Sequence, residues 1–488
     1  MTDKAPHPLK LFNSLTRQME EFVPVHTGEA RVYTCGPTVY NYQHIGNMRA
    51  YIFADLLGRT LSWKGYKLTH IINITDVGHL TSDADAGDDK MEKAAAQSGK
   101  SAWDIAKYYT DAYWLDIDRL NIRQPAKWAI ATDHVEEMIA FAKSIADKHC
   151  YELESGLYFD VSTVPDYGRL AGAQSDDIEG RIDTVEGKRH PQDFAIWRKT
   201  PAGETRQMEW DSPWGKGAPG WHLECSQMSI KYLGETFDIH TGGIDHREIH
   251  HPNEIAQNQA HNCSEHSGAN IWMHNNFLID RAKGKDGAKM SKSSGDFLRL
   301  QVLIDKGIHP LAYRLMCLQA HYRSELEFTW ENLVAALTRL KRIVMGVERL
   351  LEKADGQTAA IDHPALLQLQ DRFDAALSED LNSSKCLPLL EELLTQKKLP
   401  ADQRLVLLTD MDSVLGLQLS SLTRKQLRVR PAGAAIDENA IEAKLDQRQQ
   451  AKAEKDFATA DAIRDELTAQ GVELMDGDPL RWDWKIEI

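Results

Sequence analysis

The chain has 488 residues, 57 Lys plus Arg against 73 Asp plus Glu, and a formal net charge of −16 at pH 7. That length allows roughly two to four domains and a large core. The acidic total does not exclude nucleic acid, because binding needs a local basic face rather than a basic sum. The start, Met1-Thr2-Asp3-Lys4, is polar, and no run of about 18 apolar residues occurs, so neither a signal peptide nor a membrane span is expected. Six cysteines stand at 35, 150, 225, 263, 317 and 386 with no Cys-x-x-Cys, which argues against a disulfide scaffold and for a reducing cytoplasm.

Arg31-Val32-Tyr33-Thr34 reads as a strand. It leads through Cys35-Gly36-Pro37 to His44-Ile45-Gly46-Asn47. There a helical pattern opens, with Ile52, Leu56, Leu57 and Leu61 on one face, and ends at Gly65. Leu68 to Ile74 is nearly all apolar and β-branched, as buried parallel strands are. Residues 31–75 therefore form a βαβ unit. The acidic, small-residue stretch Thr81 to Asp89 reads as a solvated surface insertion. From 150 to 235 the pattern breaks into short strands and turns rich in Gly, Pro and Trp, and an insertion into the sheet is expected over about 115–235. The sheet resumes at Phe237-Asp238-Ile239-His240, and a helical pattern after Gly243 carries Ile249, Ile255 and Ala256. Lys289-Met290-Ser291-Lys292-Ser293, framed by Gly284, Gly287 and Gly295, reads as a mobile cationic loop.

Beyond 330 the texture is helical. Leu333, Leu337, Leu340, Val344, Val347 and Leu351 alternate at steps of four and three, one face of a long helix, and further apolar stripes run through 366–377 and 405–415. The expected organisation is an α/β, Rossmann-like parallel-sheet domain with its insertion over 1–330. A helical bundle over 331–420 and a basic linker over 421–436 follow, with Arg424, Lys425, Arg428, Arg430 and Pro431 in the linker. A small mixed module over 437–488 closes the chain.

Strand, loop and helix start at residues 31–47 is where an open α/β sheet presents backbone N–H groups and a helix dipole to phosphate. A Lys-Ser loop facing it would clamp a triphosphate from the other side, and such a clamp stabilises transition-state charge on phosphorus. Cys35, Cys225, His250 and Glu254 are metal-ligand candidates. The last two are four apart, on one helix face, and two sulfurs, an imidazole and a carboxylate suit tetrahedral zinc. Spacing alone leaves buried free cysteines and surface histidines as the alternative, since the four come from three distant segments.

The two signatures in this order resemble the class I aminoacyl-tRNA synthetases. The first signature of that class usually ends in His, and here it ends in Asn47, which the cysteine-specific members tolerate. Tyr33-Thr34-Cys35-Gly36-Pro37-Thr38-Val39-Tyr40, Pro219-Gly220-Trp221-His222-Leu223-Glu224-Cys225-Ser226 and His250-His251-Pro252-Asn253-Glu254-Ile255-Ala256-Gln257 are similar to segments of the cysteinyl-tRNA synthetases. The similarity runs from about Leu9 to Trp484, dense over 30–330 and thin over 350–435.

The resemblance implies that Cys35, Cys225, His250 and Glu254 hold one zinc ion, which binds the substrate cysteine thiolate directly. It implies that ATP with magnesium is a substrate. His44, Gly46 and Asn47 would meet the phosphates, and Lys289, Met290, Ser291, Lys292 and Ser293 the leaving pyrophosphate. Gly242, Gly243 and Asp245 match the segment that packs against adenosine. Thr75, Trp221 and His240 match positions lining the amino-acid pocket, with ordinary core packing as the alternative for Trp221. Lys452, Phe457, Asp461 and Asp476 fall where the family reads the anticodon, with a small solvated helix hairpin as the alternative. Expected partners are tRNA(Cys), cysteine and ATP, with no membrane, for a cytoplasmic monomer.

Three departures stand out. The acidic stretch separates Asp76 from Asp88-Asp89-Lys90. His246-Arg247-Glu248-Ile249 replaces an apolar run, so His246 and His251 compete with His250 as ligand. Ser294 stands where the family usually has Leu. Two rivals share the core: a ligase joining cysteine to an amino sugar, and a catalytically inactive RNA-binding paralogue.

Overall fold

The computed structural model describes residues 6–78, 90–172, 185–280, 288–289, 298–354 and 360–486. Its centre is a five-stranded parallel sheet of β1 (Glu29–Thr34), β2 (Lys67–Ile74), β3 (Lys127–Ile130), β4 (Phe237–Gly243) and β5 (Ala269–Asn275), in the spatial order β5-β4-β1-β2-β3. Strand neighbours β1 and β4 are about 200 residues apart in sequence yet pair in register, Ile239 with Val32 and Thr241 with Thr34. Loops at the carboxyl ends of these two strands therefore face the same crevice, where open α/β sheets bind ligands.

Helix α1 (Ile45–Trp63) follows β1 and returns to β2. It ends at Lys64, and Gly65 takes φ 92°, a left-handed backbone suited to glycine just past a helix. The helix is apolar almost all round, because the sheet covers one side and the helical bundle the other. Its charged residues are consequently paired inside. Asp55 accepts from Arg59 Nε at 2.7 Å and from Arg314 Nη2 at 2.6 Å. Removing one partner of such a buried network typically costs about 3–5 kcal/mol.

Between β3 and β4 lie a helix, Val135–His149, and a four-stranded antiparallel sheet made of Cys150–Leu153, Gly156–Phe159, Phe194–Lys199 and Gly217–Pro219. The expected insertion over 115–235 thus takes in β3, which belongs to the parallel sheet. A four-residue edge strand is too short for its pattern to register. Helices α2 (Trp221–Leu233) and α3 (His250–Asn262) flank β4 in sequence.

The bundle consists of Trp330–Leu351, Pro364–Ser378, Ser383–Thr395 and Ala401–Leu415. The long first helix buries Leu333, Leu337, Leu340, Val344 and Val347, while Leu351 is exposed and Leu350 closes the buried stripe. Residues 421–436 are packed. Arg424 bridges Glu348 and Asp478, and Arg428 stacks 3.6 Å over the Trp482 ring. Two helices, Glu438–Ala453 and Phe457–Ala469, and a hairpin of Val472–Leu474 with Trp482–Trp484 close around a separate small core. No helix among the described residues is long and apolar enough to cross a membrane.

Candidate active site and metal centre

The end of β1 delivers Cys35 into the crevice, and Gly36 is what lets it arrive. A Cβ at Gly36 would lie 1.6 Å from the Asn73 carbonyl oxygen, so only glycine allows β1 and β2 to exit so close together. Asn73 completes the contact, its Oδ1 accepting from Gly36 N at 2.7 Å. Helix α2 brings Cys225 from the opposite side, and the first turn of α3 brings His250 and Glu254.

These side chains converge. Cys35 Sγ stands 3.9 Å from Cys225 Sγ and 3.8 Å from Glu254 Oε1, and His250 Nε2 stands 3.1 Å from the same Oε1. All four are buried, with their donor atoms within 4.8 Å of one another. Tetrahedral zinc with Zn–S near 2.3 Å and Zn–N or Zn–O near 2.0–2.2 Å sets its ligand atoms about 3.3–3.8 Å apart. The observed edges match within a few tenths of an ångström.

A second set, Cys35, His240, His251 and Glu254, also falls within that span. The two histidine choices differ in the sulfurs that stand with them: the His250 set contains both Cys35 and Cys225, the His251 set Cys35 alone. Both ring nitrogens of His251 are engaged, Nε2 with Cys35 Sγ at 3.3 Å and Nδ1 with His274 Nε2 at 2.8 Å. His250 likewise meets His222 Nδ1 with its own Nδ1 at 2.8 Å and turns Nε2 to Glu254 Oε1 at 3.1 Å. Each ring turns Nε2 into the cluster with Nδ1 fixed by a neighbour, the arrangement of a ligating imidazole, and the presence of both sulfurs favours the His250 set. His246 belongs to neither set.

The electrostatics favour the ligand form at Glu254 and Cys225, whereas burial at His250 is outweighed by Glu254 and Cys225, which raise its ring to about 10, toward the protonated form. Burial raises the Glu254 carboxyl, but His240, which contacts Oε2 at 2.8 Å, and His250 outweigh it and hold the group low. Burial also raises Cys225, yet its contacts with Cys35 and His250 pull it below the usual thiol range. Cys35 is pushed up by burial and by the Cys225 sulfur beside it.

The phosphate side begins at the N-terminus of α1. His44 is the N-cap: its Nδ1 accepts from Asn47 N at 3.1 Å, while Asn47 Oδ1 accepts from His44 N at 3.4 Å. Because Nδ1 accepts, a neutral imidazole carries its proton on Nε2. A Cβ at Gly46 would lie 2.9 Å from the His44 ring. Opposite, the short strand Leu278–Asp280 pairs with Ala288–Lys289, so the backbone of Lys289 is anchored beside the crevice. Ile45 N donates to Leu298 O at 2.9 Å, which ties the far end of the cationic loop to the start of α1. Met290, Ser291, Lys292 and Ser293 lie outside the described residues, as does the acidic stretch 81–89.

The remaining candidates sort by environment. Thr75 Oγ1 donates to Glu224 Oε2 at 2.7 Å, both buried beside Cys225. Trp221 is partly exposed, with its ring 4.1 Å from that of His250. His240 is fully buried, stacked 4.5 Å from Trp272 behind Glu254. Gly242 admits His246 and His251, since a Cβ there would come within 2.7 Å of the His251 ring, and Asp245 crowds Gly243. In the C-terminal module Phe457 is 63% exposed. Asp476 is held by Arg448 at 2.7 and 3.0 Å and by Lys452 at 3.3 Å, and Asp461 pairs with Arg464. Sequence reasoning missed Asn73, His222, Glu224 and Arg448. The crowding of histidines over 246–251 was visible, but their partners come from other segments.

A family model described as the tRNA synthetases class I (C) catalytic domain matches residues 21–338. The solved methionyl-tRNA synthetase of Mycobacterium tuberculosis bound by methionyl-adenylate aligns with TM-score 0.53 at 14% identity, covering 88% of this chain and 96% of that one, which shows the shared fold. Sheet, signatures and model together define a class I tRNA synthetase. Cysteine–tRNA ligases of Novosphingobium aromaticivorans and Zymomonas mobilis are 67% and 54% identical. They cover 98% and 99% of this chain and 97% and 99% of their own lengths. The chain belongs to the cysteine–tRNA ligase family.

Proposed function

We propose that this protein activates cysteine with ATP to cysteinyl-adenylate and transfers the cysteine to tRNA(Cys). The observation that carries the reading is the convergence of Cys35, Cys225, His250 and Glu254 in the crevice at the carboxyl ends of β1 and β4, beside the N-terminus of α1.

The four side chains fit a zinc ion by donor type and spacing. When bound there, zinc would favour a thiolate over a hydroxyl. That selectivity matters because serine is nearly isosteric with cysteine and an apolar pocket separates such pairs poorly. The protein's own contribution is orientation. His222 fixes the His250 ring, His240 holds one Glu254 oxygen, and Asn73 keeps Cys35 close to Cys225 through Gly36.

On the phosphate side, His44 Nε2–H and the Gly46 N–H at the start of α1 donate to oxygens of ATP, whose magnesium would come with it. Lys289 and Lys292 neutralise the leaving pyrophosphate. In the C-terminal module the exposed Phe457 offers a face for an unpaired anticodon base. Asp461, Lys452 and Asp476 lie on the same module, with Asp476 already bonded to Arg448. We assign the protein to the cytoplasm.

The rival joining cysteine to an amino sugar has no use for the module beyond 436, which the relatives share over nearly their full length. Cysteine-dependent ATP–pyrophosphate exchange followed by charging of tRNA(Cys) is the test. Exchange without charging would favour the rival, and absence of both would favour an inactive paralogue.

A further inference from the structure

Between Trp330–Leu351 and the end of Ser383–Thr395 lies a cavity of about 920 Å3 whose lining sets six cations against two acids, in a chain of net charge −16. The helix spacing creates it. Arg339, Arg342, Gly346 and Arg349 recur at steps of three and four, one stripe of the long helix, and Lys353 continues the spacing just past its end. Gly346 sits mid-stripe, where a Cβ would come 3.2 Å from Leu394 Cδ1, so glycine lets the second helix close in. Ile343, Leu350 and Leu394 line the same cavity and give it apolar walls.

Neutralisation is sparse. Arg339 pairs with Glu391 at 2.8 and 2.9 Å. Among the described residues, no ion pair engages Arg342, Arg349, Lys353, Lys397 or Arg404. Arg404 is only 3% exposed, and its guanidinium donates to two carbonyl oxygens, Leu393 at 3.1 Å and Leu394 at 2.9 Å. These carbonyls end the Ser383–Thr395 helix, so Arg404 caps its negative end, and its charge adds to the positive potential of the cavity.

We infer that this cavity is a second anion site, which takes a small polyphosphate compound independently of the cysteine-activating reaction. Its volume lies within the roughly 300–1,000 Å3 of small-molecule sites. The concave shape and buried cation suit a compact ligand better than a nucleic-acid backbone, which reads rim charges from outside. Arginine forks bind phosphate oxygens bidentately.

Inorganic tripolyphosphate is the probe, titrated calorimetrically into the full chain and into Arg342→Glu/Arg349→Glu. The double variant is expected to lose one binding site, or to weaken it at least tenfold, with ATP–pyrophosphate exchange unchanged. Arg342→Gln/Arg349→Gln should weaken it in the same direction, which keeps the test valid if the charge reversal fails to fold. Identical stoichiometry and affinity in wild type and variants would overturn the proposal. So would a tenfold loss of tRNA affinity in filter binding with tripolyphosphate binding intact, since the cations would then serve the RNA backbone.

Discussion

Cys35 Sγ and Cys225 Sγ stand 3.9 Å apart across 190 residues of sequence. Two sulfurs on one tetrahedral zinc lie about 3.8 Å apart, so the fold sets this edge of the site from two unconnected elements.

Cys225→Ser is expected to lower metal content and raise KM for cysteine by more than the roughly 10–100-fold typical of losing an outer-shell partner. The preference for cysteine over serine should shrink with it. Metal analysis of the purified protein, read beside the two KM values, is the check. Full metal content with unchanged preference would remove Cys225 from the site. His250→Ala should lose metal, whereas His251→Ala should retain it.

Gly46→Ala should displace the His44 ring, because the added Cβ would meet it at 2.9 Å. Glycine and alanine differ by only about 1 kcal/mol in helix preference, and in alanine's favour, so the fold should persist. A misplacement of about 1 Å can cost about 100-fold in rate. ATP–pyrophosphate exchange should therefore fall by up to that factor, while cysteine KM and the unfolding midpoint hold. Normal exchange would show that the His44 position is not critical.

Phe457→Ala should weaken tRNA charging by about 1–3 kcal/mol, the worth of one base stacked on an aromatic ring. At 63% exposure the ring contributes little to the core, so stability should be unchanged. Exchange in the absence of tRNA should not move. An equal fall in exchange and charging would instead mark Phe457 as structural.

Asp76 reports on pH. Burial pushes its carboxyl up to about 6, against hydrogen bonds from Thr132 N at 2.9 Å and Thr132 Oγ1 at 2.6 Å. A folded pKa above the unfolded value means that stability is complete below about 4 and declines as pH rises to 6. Asp76→Asn keeps an acceptor for Thr132 N and offers Nδ2–H to Thr132 Oγ1. It should stabilise the protein at pH 8 by about 2–3 kcal/mol, at 1.36 kcal/mol per pKa unit, and leave stability at pH 4 unchanged. Urea unfolding at both pH values decides it, and an equal effect at the two would rule out the carboxylate's charge as the cause.

The sequence by itself determined the local pieces. Period and punctuation around residues 31–75 give strand, helix and strand within two residues of where they lie, because burial on both faces makes β2 continuously apolar and Gly65 ends α1. The four candidate ligands were legible only through likeness to a family, since three distant segments carry no spacing rule. Tertiary structure decided the rest. The pairing of β1 with β4 sets Cys35 opposite Cys225, and it places two histidines, His250 and His251, in overlapping donor sets of which only the His250 set holds both sulfurs. Periodicity reports which face of an element is buried. It does not report which buried atom meets which, because that depends on contacts between elements that no local pattern encodes.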